Sequence, residues 1–460
     1  MRCRATRGIP RVLGLAGLAV LGVAGSARAQ ESSWRDRLTL GEAVALARET
    51  HPSLGAARAG EDAASAALGQ AKSKWWPQLG SRAGVTRYEE PMVVAPIHGF
   101  TQDQFERIEF QRTLVQGSAS LAWTVFDGGA RVNGIRVARA GAAAAAAGRV
   151  ATEMTLIAQV TRAYLEVLTA RGVLDAQVQR IDALQAERRR VGQLLREGQA
   201  AQVELLRVDA ALAEVEAQQV ATRTRLDLAE RELARLVGIA PRASRVERLA
   251  PVRLSGQTIT EDRAELAERA KSNNPELERS QQKVRAAEAS RGVARAAWIP
   301  AVNLGGAYQL FSSDAWNTTT EWNVGIAVSY PLFTGGARSN AVGRAGAELR
   351  LAREELRLAE LAVEEGVDRA LNAAIDTRAL VSALRRTVQL QSEVVRIEQL
   401  SLDAGAGTQT DYLRAEADLA RARSLLIEAE HAEIAARVEL ARVVGELTTE
   451  WLNRNVETAP

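Results

Sequence analysis

Trp123-Thr124-Val125-Phe126-Asp127-Gly128-Gly129-Ala130-Arg131 returns 207 residues later as Tyr330-Pro331-Leu332-Phe333-Thr334-Gly335-Gly336-Ala337-Arg338. The same offset recurs far downstream, where Gly198 matches Gly405, Leu206-Arg207 matches Leu413-Arg414, and Gly238 matches Gly445. A register held over that distance without insertion is a duplication. Each copy closes a run of alternating apolar and polar residues and opens a long stretch of helical composition. The chain therefore reads as two structural repeats, 30–245 and 246–460, each joining strands to a long helix. Gly128-Gly129 and Gly335-Gly336 are the joints. Glycine suits them because it enters positive φ at little steric cost.

Arg2, Arg4, Arg7 and Arg11 precede an apolar run from Val12 to Ala24 and then Ala27-Arg28-Ala29. That is the layout of a secretory signal peptide, residues 1–29, with cleavage expected after Ala29. The run is short of the ~20 residues a spanning helix needs, and no later stretch is apolar enough to span as a helix. A membrane location therefore requires strands. Cleavage lowers the 59 Lys+Arg by five to 54, against 56 Asp+Glu. The basic balance that would favour nucleic acid disappears. Cys3, the only cysteine, leaves too, which excludes disulfides, thiolate metal sites and a catalytic cysteine. No cysteine stands at the cleavage site to carry a lipid anchor.

Fifteen of the 19 aromatic residues fall in two windows, 75–126 and 298–333, whereas a globular core would spread them. Before each window lies a helical segment. The first, 38–75, is interrupted near His51-Pro52, and the second, 261–298, has Pro275 aligned with Pro52. Pro77 and Pro300 then switch helix to strand, because proline removes a donor and disfavours helix at the residue before it.

Inside the windows the alternation has period two. Val115, Gly117, Ala119, Leu121, Trp123 and Val125 share one face, against Gln116, Ser118, Ser120 and Thr124. Trp322, Val324, Ile326, Val328, Tyr330 and Leu332 oppose Asn323, Gly325, Ala327 and Ser329. These are two hairpins, 77–126 and 300–333, with strands of about ten residues, the length of a tilted transmembrane strand. A soluble sheet has the same pattern, but two hairpins are too few for a sandwich. Trp75, Trp76, Trp123, Trp298, Trp322 and Tyr330 gather at strand ends, where interfacial aromatics belong.

Beyond each joint the sequence predicts a helix of about 100 Å, at 131–197 and 338–404, with apolar residues in matching positions. Ala142–Ala147 is read as compositional bias. Gly198-Gln199 and Gly405-Ala406-Gly407-Thr408 turn the chain into return helices, 201–237 and 408–444. Each is about half the outgoing length. The shortfall is expected to be filled in copy one by the helix 261–298, and in copy two by the N-terminal helix 38–75, leaving only a short tail. Four strands cannot close a barrel and open edges are not tolerated in lipid. Two or three copies of the chain give eight or twelve strands, both even numbers.

The Trp-x-Pro switches at Trp75–Pro77 and Trp298–Pro300, the Tyr330–Gly336 joint and the Gly405–Ala415 turn together resemble the TolC-like outer membrane efflux family. The resemblance covers nearly the whole mature chain, although Thr124 stands where copy two has Pro331. It implies a mainly α fold with a β-barrel part: a periplasmic α-helical barrel plus a twelve-strand transmembrane barrel shared by a homotrimer in outer-membrane lipid. It implies an exit duct for a tripartite efflux pump or type I secretion system. Its partners would be a periplasmic adaptor (membrane fusion) protein and an inner-membrane transporter of RND, ABC or MFS type.

By the same resemblance, Asp411 matches the family's carboxylate at the periplasmic constriction, with Glu204 its copy-one counterpart. Arg207 and Arg414, three residues on, are expected to hold the tip closed by pairing with these acids. Solvated charges at a helix start are the plainer reading. Gly198, Gln199, Gly405, Gly407 and Thr408 form the expected adaptor-docking turns. His51, His98 and His431 are scattered and no metal spacing appears. No catalytic constellation and no cofactor are expected. A periplasmic coiled-coil adaptor without a pore is the alternative.

Overall fold

A computed structural model describes residues 37–93, 110–238, 249–255, 262–313 and 318–458. The expected signal peptide and His98 lie outside the described residues. The first copy comprises α1 (Leu40–Thr50), α2 (Pro52–Ser73), β1 (Gln78–Val93), β2 (Phe110–Phe126), α3 (Ala130–Arg196) and α4 (Gln202–Val237). After β3 (Val252–Leu254) the second repeats it as α5 (Arg263–Asn273), α6 (Pro275–Ala296), β4 (Ala301–Ser312), β5 (Thr318–Ser329), α7 (Ala337–Asp403) and α8 (Gln409–Val444). A closing α9 (Thr449–Asn455) and β6 (Val456–Thr458) follow, with no counterpart among the described residues of the first copy. The fold is mainly helical with antiparallel strands.

Local chemistry sets the boundaries. Thr39 and Glu42 form a capping box at the start of α1. Pro52 and Pro275 stand at first helical positions, where the missing N–H is no loss. His51 caps α2 through Nδ1, and Asn274 caps α6 by accepting from the amides of Glu276 and Leu277. α3 and α7 both run 67 residues, about 100 Å. Among the described residues no helix is long and apolar enough to cross a membrane.

The two hairpins merge into one antiparallel sheet of order β1-β2-β4-β5, so β1 and β5 are its open edges. Register puts Leu79, Val85, Trp322, Val324, Ile326 and Val328 on one face, and none of the described residues covers that face: Leu79 is 81% and Ile326 72% exposed. The other face carries Thr124, Asn303 and Asn323 among Gly, Ala and Ser, and Thr124 donates to Asn303 Oδ1 at 2.9 Å.

One expectation is corrected. The short helices stack within each copy, not across copies. α4 ends at Gly238 against Thr50, whose hydroxyl donates to the Val237 carbonyl at 2.8 Å, so α4 abuts the α1–α2 junction. Likewise α8 ends at Gly445 against Asn273 and Asn274, and Asn274 Nδ2 donates to the Val443 carbonyl at 2.8 Å. Both terminal glycines have positive φ, which frees the last carbonyls to be capped by the upstream segment of the same copy. Adjacency along the chain misleads because the side chains that cap these helix ends, Thr50 and Asn274, lie upstream of each hairpin. The tail also folds: Thr448 caps α9, Leu447, Leu452 and Val456 are buried, and β6 pairs with β3.

That tail completes a belt around the helices, where Leu40, Val44, Ile157, Val160, Leu233, Ile434, Val438 and Leu452 share one core. Tyr164 is fully buried there, its hydroxyl 2.8 and 2.7 Å from the carbonyls of Leu38 and Ala250. Burial pushes that hydroxyl's pKa upward. The same belt joins the copies through His431 Nδ1, 2.7 Å from Thr169 Oγ1.

Candidate functional site

Candidate residues lie at the two ends of the long helices. At the strand end, Gly128, Gly129, Gly335 and Gly336 all have positive φ, from 57° to 88°. Each joint thereby turns its chain from strand to helix. In the first, Asp127 accepts from the amides of Gly129 and Arg131 and pairs with the Arg131 guanidinium at 3.0 Å. Arg131 also donates to the carbonyls of Lys74 and Val125 and lies 4.6 Å from the Trp75 ring centroid. Trp123 Nε1 donates to the Trp75 carbonyl.

In the second joint Thr334 replaces Asp127. Arg338 is equally buried, lies 4.5 Å from the Trp298 ring and 5.2 Å from Tyr330, and donates to the Leu332 carbonyl. Its Nε and Nη1 are buried without a hydrogen-bond partner. Trp76 is 75% exposed, and Leu332 and Phe333 are bare. Trp322 stands beside Tyr308 on the uncovered face, roughly 25 Å along the strand from Tyr330.

At the far end α3 turns at Gly198 (φ 77°) and α7 at Gly405 (φ 73°). Gln199 donates its amide to the Leu194 carbonyl, and Ala406 and Gly407 donate to Ser401. A Cβ on Gly407 would lie 3.0 Å from the Leu402 amide, so this turn is tight. Thr408 caps α8, accepting from the Asp411 amide at 3.2 Å and donating to its carboxylate at 2.6 Å.

The acid–arginine pairs expected on each helix do not form within the protomer. The Asp411 carboxylate is engaged by its own cap. Arg207 turns away from Glu204 and donates across to Thr410 Oγ1. Arg414 is exposed and forms no ion pair among the described residues.

The structure brings in residues that sequence reading missed. Arg190 is bidentate to Glu187 and reaches Gln409 Oε1 at 3.2 Å, tying α3 to the first residue of α8. Hydrogen bonding to Glu187 raises the Arg190 pKa. Half-buried Tyr412 has its hydroxyl pushed up to about 12, first by burial and then by Glu416 and Glu187. Arg188 pairs with Asp209 to close the α3–α4 hairpin. The three-residue spacing of Glu187 and Arg190 is visible in the sequence; the partner on the other hairpin is not.

The family model described as outer membrane efflux protein matches residues 43–239 and 266–446. Protein CyaE of Bordetella pertussis is 30% identical over 398 residues, 84% of this chain and 80% of that protein. Outer membrane efflux protein BepC of Brucella suis is 22% identical, covering 91% of this chain and 88% of its own. Among solved structures, the Campylobacter jejuni CmeC outer membrane channel superposes with a TM-score of 0.75 at 17% identity, over 90% of this chain and 88% of that one.

Proposed function

Because the chain belongs to the outer membrane efflux protein family, we propose that it is the outer-membrane exit duct of a tripartite efflux pump or type I secretion system. It is a passive conduit assembled as a homotrimer. One observation carries this reading: a four-stranded sheet with two unpaired edges and a bare apolar face stands on helices of 67 residues. Such a sheet is unstable in water and incomplete in lipid. Three copies close it at twelve strands, apolar face to lipid and small polar residues to the lumen. A pore-free scaffold leaves the edges unexplained.

The aromatic rows at Trp75, Trp76, Trp123, Trp298 and Tyr330, and farther out at Trp322, are then the two interfacial girdles. The helical ends face the periplasm. There Asp411 and Glu204 form threefold acidic rings that favour cations. The turns at Gly198, Gln199, Gly405, Gly407 and Thr408 receive an adaptor, which couples the duct to an inner-membrane transporter. Arg207–Thr410 and Arg190–Gln409 support a closed resting tip, since both bind the start of α8 to the copy-one hairpin.

Cell fractionation tests the reading. The expected result is an oligomer in the outer-membrane fraction that dissociates only on heating. A soluble periplasmic monomer would overturn it.

A further inference from the structure

Duplication supplies a control for each residue of the joints, and one position breaks the match. In the first joint the Asp127 carboxylate sits among three donors. Its Oδ1 accepts from the Gly129 amide at 3.1 Å, and its Oδ2 accepts from the Arg131 amide at 2.9 Å and from Arg131 Nε at 3.0 Å. The second joint builds the same cradle and has Thr334 in place of the acid.

The backbones agree. Gly335 and Gly336 have φ of 57° and 81°, against 65° and 88° at Gly128 and Gly129. Ala130 and Ala337 donate their amides to the carbonyls of Asp127 and Thr334. The two arginines also share one pose. Each donates Nη2 to the carbonyl six residues upstream, Val125 or Leu332, and each lies over a tryptophan ring, at 4.6 or 4.5 Å. Arg338 Nε therefore points to where the acid stands in the first joint.

Among the described residues no acceptor meets these donors. The amides of Gly336 and Arg338 have none, Arg338 forms no ion pair, and its Nε and Nη1 are unpartnered although the residue keeps only 9% of its surface. A buried guanidinium without a counter-charge is costly. The Thr334 hydroxyl carries no charge and is one bond shorter than a carboxylate, so it does not replace Asp127.

The first joint shows what fits: two oxygens on one centre, one for the glycine amide and one shared by the arginine amide and Nε. A phosphodiester presents the same pair of oxygens, and a helix N-terminus with an arginine beside it suits them. The rim favours a lipid. Leu332 and Phe333 are 88% and 87% exposed, and Trp298 and Tyr330 are exposed beside them, an apolar border at the level of an interfacial girdle. A neighbour packed on the joint leaves such a cradle reachable, since Asp127, enclosed by the other copy, keeps 17% of its side-chain surface.

We infer that the second joint binds the phosphate of a membrane phospholipid through the Gly336 and Arg338 amides and the Arg338 guanidinium, with Leu332 and Phe333 against its acyl chains. The inference rests on the duct reading, which sets the joint at the membrane surface.

Native mass spectrometry of the full-length oligomer in detergent, with phosphatidylglycerol added, tests the site. The wild type is expected to retain one phosphatidylglycerol per protomer. Thr334→Asp supplies the cradle with a carboxylate of its own and leaves Arg338 packed. It is expected to lower lipid occupancy about tenfold, the effect of denying a ligand its charge-assisted hydrogen bonds. Arg338→Gln is expected to do the same, and if it fails to assemble, Thr334→Asp decides alone. Arg353→Ala, about 22 Å farther along α7, is expected to change nothing. A Thr334→Asp oligomer that holds lipid as the wild type does overturns the site and leaves the duct reading standing. Equal retention of dioleoylglycerol, which has the chains without the phosphate, overturns it too. Equal retention of inorganic phosphate overturns the lipid assignment. A protein that is monomeric and lipid-free in the same spectrum overturns both the site and the duct reading.

Discussion

Two joints with nearly one sequence behave differently. At Asp127-Gly128-Gly129-Ala130-Arg131 the arginine is neutralised by an aspartate and the glycine is packed tightly against Ile299. At Thr334-Gly335-Gly336-Ala337-Arg338 the arginine is as buried but has no acid, only two rings and a carbonyl, and the glycine faces open space. Duplication gave both joints the same backbone. Their surroundings differ because the first is enclosed by the other copy in its own chain, while the second lies at the protomer's edge. An uncovered repeat beside a covered one shows what the missing neighbour must supply.

Removing the carboxylate tests the contrast most severely. Asp127→Ala leaves Arg131 buried without its partner and removes acceptors for two amides, a loss of about 3–5 kcal/mol. Thr334→Ala, at the matching site, is expected to change stability by less than ~0.5 kcal/mol. Thermal unfolding of the detergent-purified protein reads both, and equal losses would erase the distinction. The reverse exchange, Thr334→Asp, offers Arg338 an acceptor and is expected to raise stability by about 1–2 kcal/mol. No gain would mean that the aromatic cage already satisfies the guanidinium. Next comes the ring contact: Trp298→Leu is expected to cost roughly 1 kcal/mol more than Trp75→Leu, since cation–π attraction is stronger where no carboxylate competes. Chemical denaturation of the two variants compares them.

The smallest effect concerns the enclosed contact farther along the helices. Burial lowers the pKa of His431, which faces Thr169. A depressed histidine binds its proton more readily when unfolded, so its contribution is complete above the ordinary value of 6.5 and declines as pH falls below it. His431→Asn is expected to flatten that part of the stability profile between pH 7 and 5. An unchanged slope would assign it to other groups.

Much of this architecture was legible in the sequence because duplication makes it redundant. The joint glycines, the long helices and the alternating strands all follow from local rules about φ, periodicity and proline. The stacking of the short helices was not, since it depends on Thr50 and Asn274 capping carbonyls 187 and 169 residues away. Nor did any local pattern mark the tail, where Leu452 and Val456 become informative only against the belt they complete. At the tip the acids and arginines were visible, but their pairing was not. Thr408 sits three residues from Asp411 and captures its carboxylate, and Thr410 draws Arg207 across to the other hairpin. Spacing along one helix identifies neighbours on that helix and is silent about a second helix packed beside it.

Conductance of the purified outer-membrane oligomer in a planar lipid bilayer tests the central claim most directly. The account predicts discrete, uniform, cation-preferring steps. Asp411→Asn, which keeps an acceptor for Thr408 but removes the charge, should weaken the cation preference, and Arg207→Ala, which releases α8, should enlarge the steps. An oligomer that inserts and yields no steps under any of these substitutions would contradict a conduit.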